Sequence, residues 1–451
     1  MSLPLTLIEI AKHLGCDYHG VDIKVTGTAI DGRKLKKGDL FVALPGTQVD
    51  GHDFLAQARE AGAVAALVSK TVDDPLPQLL VDDVVAAFGK LATFWCQQSQ
   101  AKVIAITGSN GKTTLKEMIS AMLAQQHHVI ATQGNLNNEL GVPLTLTRIK
   151  SGHQFAVIEM GANHHGEIEK LVAMARPQVA IINNVGAAHL EGFGSLEGVA
   201  KAKGEIYTGI AEDGVAIVNA DMPYQDIWQP LIADRKTLTF GLENSADVSA
   251  LDCQTTPAGS HFMVQLDGVN HFVSLPLPGR HNVANALAAM TVCHALGIEP
   301  SAMIKGLASI KAVPHRLQLR PTKQQAMLID DTYNANPGSF GQALQTLKSF
   351  PGTRWLVLGD FGELGPDSLE IHQQMGRDAK SADVHRLFTV GKQSAEAAAQ
   401  FGDAAEHFAD RDSLQNYLQQ NLQAGVTCLI KGSRFMQLDK LADALAAGGD
   451  R

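Results

Sequence analysis

Residues 106–118 read ITGSNGKTTLKEM, and the fold turns on how this stretch is read. Before it, KVIAIT (102–107) has the apolar, β-branched composition of a buried strand. After it, TLKEMISAML places Leu115, Met118, Ile119, Met122 and Leu123 at helical spacing. A glycine-containing turn between a strand and a helix is the setting of a phosphate-binding loop. Gly108 and Gly111, with Ser109 and Asn110 between them, let backbone N–H groups turn toward an anion. Lys112 would then reach the β- and γ-phosphates, and the Thr113 hydroxyl, with Thr114 beside it, would meet Mg2+. The usual pattern has a further glycine where Ile106 stands. The competing reading is a plain glycine turn capping a helix. Strand, glycines, Lys-Thr pair and helix in that order favour the phosphate loop.

A chain of 451 residues, 45% apolar and 18% charged, has ample core for roughly two to four domains. Its formal net charge of −9 leaves no basic face for a nucleic-acid backbone, so no nucleic acid is expected as a partner. Anionic ligands would be met locally, by helix N-termini, a few basic residues or metal ions. Cys16, Cys96, Cys253, Cys293 and Cys428 are scattered too widely for a disulfide framework or a metal knuckle, which suits a reducing compartment. The opening MSLPLTLIEIAKHLG lacks a basic region and Glu9 interrupts its apolar stretch, so it reads as an amphipathic helix and not a signal peptide. No apolar run approaches the ~20 residues that span a bilayer. A cytoplasmic protein without a membrane span is expected.

Short apolar runs alternate with helical stretches almost throughout, the pattern of an α/β protein with parallel sheets. Strands are expected at FVAL (41–44), AVAALVS (63–69), KVIAIT, FAVIEMG (155–161), VAIINNVG (179–186), GVAIVNA (214–220), MLIDDTY (327–333), RWLVLGD (354–360), RLFTVG (386–391) and TCLIKGS (427–433). Residues 247–279 alternate polar and apolar, as an antiparallel appendage would. PLPQLLVDD (75–83) and IKAVPHRLQLRPTKQQ (310–325) read as boundaries, dividing the chain into 1–82, 83–313 and 314–451. The Ala/Gly-rich end, 443–450, is expected to fray.

Several segments carry candidate chemistry. Glu159 begins EMGANHHGEI (159–168) at a strand's end, as a Mg2+ ligand or a solvated carboxylate. His189 follows another strand in NNVGAAHLEGFGS (183–195), as a ligand or a structural histidine. Lys201 and Lys203 in GVAKAKGEIY (198–207) are two apart on a helix, so only one can face a site. Asn282 and Asn285 in LPGRHNVANALAA (277–289) share a helix face, where they serve a ligand or cap the helix. Asn137 and Asn138 in GNLNNELGVP (134–143) line a ligand path or form a turn.

The TGxNGKT loop resembles that of the Mur ligase superfamily, and matching segments run from about residue 27 to residue 434. EMGANHHGEI, DDTYNANPGS (330–339) and VLGDFGELG (357–365) together resemble the branch that adds D-alanyl-D-alanine to UDP-N-acetylmuramoyl-tripeptide. The Asp-Asn-Pro-Arg signature of the diaminopimelate- or lysine-adding branch is absent. Folylpolyglutamate synthetases typically read GKGS where this loop reads GKTT.

The resemblance implies the three-domain Mur ligase architecture. In it a central P-loop ATPase-like parallel-sheet domain is flanked by a small N-terminal α/β domain for the UDP-sugar-peptide and a C-terminal Rossmann-like α/β domain. It implies ATP and two Mg2+ ions, one on Thr113 and Glu159, the other on Glu159, His189 and Lys203. The AK-x-x-x-Y pattern makes Lys203 the lysine carbamylated by CO2, and leaves Lys201 solvated. Asn282 and Asn285 would receive the adenine and Arg316 of HRLQ (315–318) the phosphates, with Asp331, Tyr333 and Asn336 also touching the nucleotide. In GTAIDGRKLKKGDLFVALPG (27–46), Arg33 would pair with the UDP diphosphate and Asp31 would fix the loop or Arg33; Gly32 stands where relatives usually carry Ser. Lys431, Ser433 or Arg434 of KGSR would receive the dipeptide carboxylate.

The implied reaction makes an acyl phosphate from a carboxylate and ATP, then an amide from an incoming amine. The alternatives are a Mur-type amide ligase with another acceptor, or a non-catalytic nucleotide-binding relative. Against the latter, Lys112, Glu159, His189 and Lys203 are all present. A monomer is expected.

Overall fold

A computed structural model describes residues 3, 5–46 and 49–447. At its centre is a nine-stranded sheet. Lys102–Thr107 lies between Phe155–Glu159 and Val179–Ile182, parallel to both. From Lys102–Thr107 the chain goes first to the edge strand Val129–Ala131, then to Phe155–Glu159, and only then crosses to Val179–Ile182 on the other side. The strand order therefore reverses at Lys102–Thr107, and a ligand crevice is expected outside its carboxyl end. Val215–Asn219 and Lys236–Gly241 continue the parallel array. The expected antiparallel appendage is present as Val248–Thr256, Gly259–Leu266 and Val269–Leu275, and it extends this same sheet.

Both faces are covered at the parallel centre of the sheet, which is why Lys102–Thr107, Phe155–Glu159 and Val179–Ile182 read as nearly unbroken apolar runs. On one face, Leu115, Ile119 and Met122 pack with Ile104 and Ile106 and with Ala286, Met290 and Met303 of two further helices. On the other, Phe88, Leu91 and Trp95 of the helix Val84–Gln97 join Val103, Ala105, Leu171 and Val172. Asp83 starts that helix by accepting from the N–H groups of Val85 and Ala86 at 2.8 and 3.0 Å. Leu7, Ile10, Val25, Leu40 and Leu67 share the second core, so the N-terminal region is seated on this helix.

The N-terminal region holds a parallel sheet of Gly27–Ala29, Asp39–Val42, Ala65–Val68 and Gln78–Leu80. The C-terminal region holds a six-stranded sheet in the order Gln318–Pro321, Met327–Asp331, Val426–Lys431, Thr353–Gly359, Arg386–Val390 and Ala405–Phe408. Only its first pair is antiparallel.

Three expectations change. Both boundary segments contain edge strands, Gln78–Leu80 and Gln318–Pro321. The N-terminal helix starts only at Leu7, where Thr6 and Glu9 form a capping box, and Leu5–Thr6 before it pairs with Lys24–Val25. The chain end is packed as far as it is described: Leu445 is buried in the helix Leu438–Leu445, and Ala446 bridges to Thr322. The rest of the fraying expectation, at 448–450, falls outside the described residues.

Candidate active site

The stretch 108–111 is a tight turn from strand to helix, with Gly111 at φ 75° heading the helix Lys112–Leu123. A Cβ on Gly111 would lie 2.7 Å from both Asn183 Nδ2 and Asn285 Oδ1, so glycine is required by conformation and by space. The neighbouring strand's end braces the loop. Asn183 Nδ2 donates to the Asn110 carbonyl at 3.0 Å and to Asn285 Oδ1 at 2.8 Å. Asn184 accepts from the Asn110 N–H at 2.9 Å, and Ser109 Oγ donates to the Gly186 carbonyl at 3.0 Å. Sequence reasoning used this NNVG segment only to reach His189. Its asparagines hold the loop, and the signal for them is a polar pair at the end of a strand adjoining the loop strand.

Lys112 Nζ folds back to the Gly108 carbonyl at 2.5 Å. Burial pushes its pKa down, opposed by Glu159 and reinforced by Arg316. Glu159 is buried, which excludes the solvated alternative. The Thr113 hydroxyl donates to one of its oxygens at 2.9 Å and Asn137 Nδ2 to the other at 2.8 Å. Asn137 is thus tied to the site, whereas Asn138 accepts from the Leu140 and Gly141 N–H groups as a turn residue does.

Lys203, on the helix Leu196–Gly204, is 3% exposed, and among the described residues its amine has no hydrogen-bond or ion-pair partner. Burial, then the nearby Lys112 charge, pushes its pKa far below that of an ordinary lysine. Lys201 points to solvent and pairs with Glu197 at 2.6 Å. His189 adopts φ 53°, and its Nδ1 lies 2.7 Å from Glu363 Oε2. Burial lowers its pKa; Glu363 works against this, and the charges of Lys112 and Lys203 work with it.

The helix Arg280–Ala295 begins at Gly279 without a side-chain cap, so neither Asn282 nor Asn285 caps it. Asn282 Nδ2 donates to the Pro278 carbonyl at 2.8 Å, and Asn285 backs the phosphate loop through Asn183. From the C-terminal region, the Arg316 guanidinium lies 4.0 Å from the Tyr333 ring centroid, and its buried Nε has no partner among the described residues. Asp331 accepts from the Leu317 N–H at 3.2 Å and from Lys431 Nζ at 2.5 Å. Asn336 caps the helix Pro337–Lys348 and donates from Nδ2 to Asn110 Oδ1 at 2.8 Å, joining the C-terminal region to the phosphate loop.

One cavity of about 1090 Å³ unites these groups. Its lining includes Ser109 to Thr114, Asn137, Asn138, Glu159, His189, Lys203, Asn282, Asn285, Arg316, Asp331, Tyr333, Asn336 and Lys431. Gly108, Asp31, Arg33, Ser433 and Arg434 are not in that lining. Asp31 grips the otherwise exposed Arg33 guanidinium through two bonds, at 3.0 and 2.9 Å, and also caps its turn. A Cβ at Gly32 would come no closer than 3.8 Å to Gln57 Oε1, so a serine would fit there. Lys431 is fully buried, paired with Asp331 and part of the cavity lining. His315, Asp330 and Asp443 also cluster, but Arg320 already bridges the two carboxylates at 2.9 and 2.7 Å, so a cation is in place.

His281 lines the cavity with its Nε2 buried and, among the described residues, without a partner, and burial lowers its pKa to about 4. The unfolded chain, with an ordinary histidine near 6.5, takes up the proton first as pH falls. Stability is therefore lost between pH 6.5 and 4, by about 3 kcal/mol from this group alone. Urea unfolding at pH 7 and pH 4.5 should show a shallower acid loss in His281→Asn than in the wild type; equal losses would contradict this assignment.

A glycine-containing loop at the reversal point of a parallel sheet, facing a buried carboxylate, an imidazole and a buried lysine, is the arrangement expected of an enzyme that works on a nucleotide's phosphates. The chain belongs to the Mur ligase family: residues 24–92 match its catalytic domain, 106–293 its middle domain and 315–434 its glutamate ligase domain. It is 46% identical, over 99% of both chains, to UDP-N-acetylmuramoyl-tripeptide–D-alanyl-D-alanine ligase of Escherichia coli K12. The crystal structure of MurF from Acinetobacter baumannii superposes with a TM-score of 0.90 at 35% identity, covering 97% of this chain and 98% of that one. MurF of Thermotoga maritima, solved in complex with ADP, superposes with a TM-score of 0.82 at 30% identity, covering 93% and 96%. Family and three-domain architecture agree with the expectation from the loop. Among the described residues no helix is long and apolar enough to cross a membrane.

Proposed function

We propose that the chain joins D-alanyl-D-alanine to the free carboxylate of UDP-N-acetylmuramoyl-tripeptide, converting ATP to ADP and phosphate by way of an acyl phosphate. The observation that carries this is the convergence of Lys112, Thr113, Glu159, His189 and Lys203 on one cavity. The near full-length likeness to relatives bearing that name supports the choice of substrates. The domains are taken as 1–82, 83–313 and 314–451, in a cytoplasmic monomer.

The donor set fits Mg2+ and a carbamate. Thr113 and Glu159 would hold one ion; Glu159, His189 and carbamylated Lys203 would hold the other. A lysine driven toward its neutral form is the species that adds CO2, and the resulting anion would offset the Lys112 charge. When bound, the two ions supply the positive charge that lets a carboxylate approach a γ-phosphate. Lys112 and Arg316 then face the phosphates from opposite domains. Asn336, anchored on Asn110, holds the C-terminal domain over the loop, which keeps water from the acyl phosphate.

With Lys431 occupied and Ser433 Oγ accepting from the Gly362 N–H at 2.9 Å, Arg434 is the exposed cation of KGSR. It is exposed and bonded to Asp439 at 2.9 Å. Arg434→Ala is expected to raise KM for D-Ala-D-Ala roughly tenfold or more, the worth of a charge-assisted carboxylate pair, while KM for ATP stays put. An unchanged dipeptide KM would remove Arg434 from this role.

The function is tested by phosphate release from ATP and Mg2+ with the UDP-tripeptide and dipeptide singly and together. Sustained release only with both, and a product heavier by one dipeptide less water, is expected. Turnover with a different acceptor instead would move the chain to another branch of the family.

A further inference from the structure

His189 and Glu363 come from different domains and meet side chain to side chain. His189 heads the short helix Leu190–Phe193 beside the phosphate loop. Glu363 lies in the loop after the strand Thr353–Gly359 of the C-terminal sheet. Both residues are in the left-handed region, at φ 53° and 61°. Non-glycine residues enter that region only at a cost in backbone strain, and such strain collects at functional sites. As an exposed surface ion pair this contact would contribute little, since Glu363 is 59% exposed. Something other than stability has to account for two strained residues aimed at one another.

The atoms involved suggest what that is. The Glu363 carboxylate takes Nδ1 of His189, and among the described residues it makes no other hydrogen bond or ion pair. An imidazole whose Nδ1–H donates to a carboxylate is held in the tautomer with a free lone pair on Nε2. That is how metal-ligating histidines are commonly oriented and made more basic. The other nearby acids are engaged: Glu159 by Thr113 and Asn137, Asp331 by Lys431, Asp360 by the N–H groups of Gln393 and Ser394. Glu363 is the carboxylate in contact with the histidine.

We propose that Glu363 is a positioning residue for the metal site, reaching from the C-terminal domain to accept the His189 Nδ1–H and present Nε2 to the second Mg2+. The inference rests on the reading of His189 as a metal ligand. Because the carboxylate belongs to the other domain, this support exists only when the domains are together. Ion binding and domain closure are then linked, and each favours the other by the same factor.

The test is Mn2+ binding, followed calorimetrically, to the full chain with a β,γ-methylene ATP analogue. Two binding events are expected for the wild type, with the second lost in His189→Ala. Glu363→Ala should weaken only the second, by roughly 10- to 100-fold, and Glu363→Gln, which keeps an acceptor oxygen, by less. An unchanged second event in Glu363→Ala overturns the proposal. An unchanged second event in His189→Ala means instead that the histidine is not a ligand, and overturns the two-metal reading with it. Histidine 15N shifts give a metal-free check: the wild type should show the Nδ1–H tautomer at His189 and Glu363→Ala should lose that bias. An Nε2–H tautomer in the wild type also overturns the proposal.

Discussion

Lys203→Ala is expected to lower turnover by roughly 10²–10³-fold, the scale of losing one charge-stabilising group, and to regain part of it in added acetate or formate. A lysine 3% exposed, with no anionic partner among the described residues and with Lys112 close by, cannot keep its charge cheaply. Such a residue is tolerated if it is neutral, or if CO2 has turned it into an anion. On the proposed reading the anion is the form with a task, since it would join Glu159 and His189 at the second ion. Alanine removes the anion and leaves a gap the size of the lysine chain, open to the cavity, which a small carboxylate can enter. Rescue should fall as the carboxylate grows. Loss of activity without rescue in any short-chain acid would point to a purely structural lysine, and full activity without additive would show that another residue holds the ion.

Much of the fold was legible, and the misses have a common cause. Strands inside the sheets, such as Lys102–Thr107 and Val426–Lys431, are covered on both faces and must be apolar throughout. Gly27–Ala29, Gln78–Leu80, Val129–Ala131, Gln318–Pro321 and Ala405–Phe408 all lie at sheet edges. An edge strand needs only one partner and can stay short and polar, even ending in a proline, so it leaves little periodic signal. The two segments read as domain boundaries contain edge strands for this reason. Lys236–Gly241 is the exception: it is an interior strand, but its first half is partly or fully exposed and its polar alternation concealed it.

The site was legible by residue type and not by pairing. Glycines before Lys-Thr, a carboxylate at a strand end and asparagines one helical turn apart each reflect a local requirement, and local requirements can be read in order along a chain. Which groups neutralise one another is set by the fold. Lys431 and Asp331 are 100 residues apart, and their pairing rests on two neighbouring parallel strands in register. Asn110 and Asn336 are 226 apart and belong to different domains. Glu363 stands within VLGDFGELG (357–365), yet nothing local distinguishes it from a surface acid; its meaning comes from the histidine opposite. Asn183 and Asn184 went unread for the same reason.

Lys112→Met is expected to cost roughly 10²–10³-fold in turnover with the fold intact, and Lys112→Arg to recover little of it. Lys112 is held in the first turn of its helix, with Nζ 2.5 Å from the Gly108 carbonyl, so the ammonium sits within the curl of the loop itself. That position supplies one compact charge where negative charge shifts toward the leaving phosphate. The planar guanidinium is wider and one atom longer, and the space is bounded by the Gly108 and Ser109 carbonyls. Methionine keeps the apolar length, so thermal unfolding without nucleotide should be near that of the wild type or slightly raised, since a buried charge has been removed. Because burial depresses the Lys112 pKa, its charge is present at low pH and lost as pH rises through a value below the ordinary lysine range. ATP affinity in the wild type should therefore fall on the alkaline side earlier than an ordinary lysine would allow, and Lys112→Met should lack that fall. Isothermal titration of ATP from pH 7 to 10 separates the cases: parallel pH curves for the two proteins would place the titrating group elsewhere, and wild-type turnover in Lys112→Met would show that the loop binds phosphate through its backbone alone.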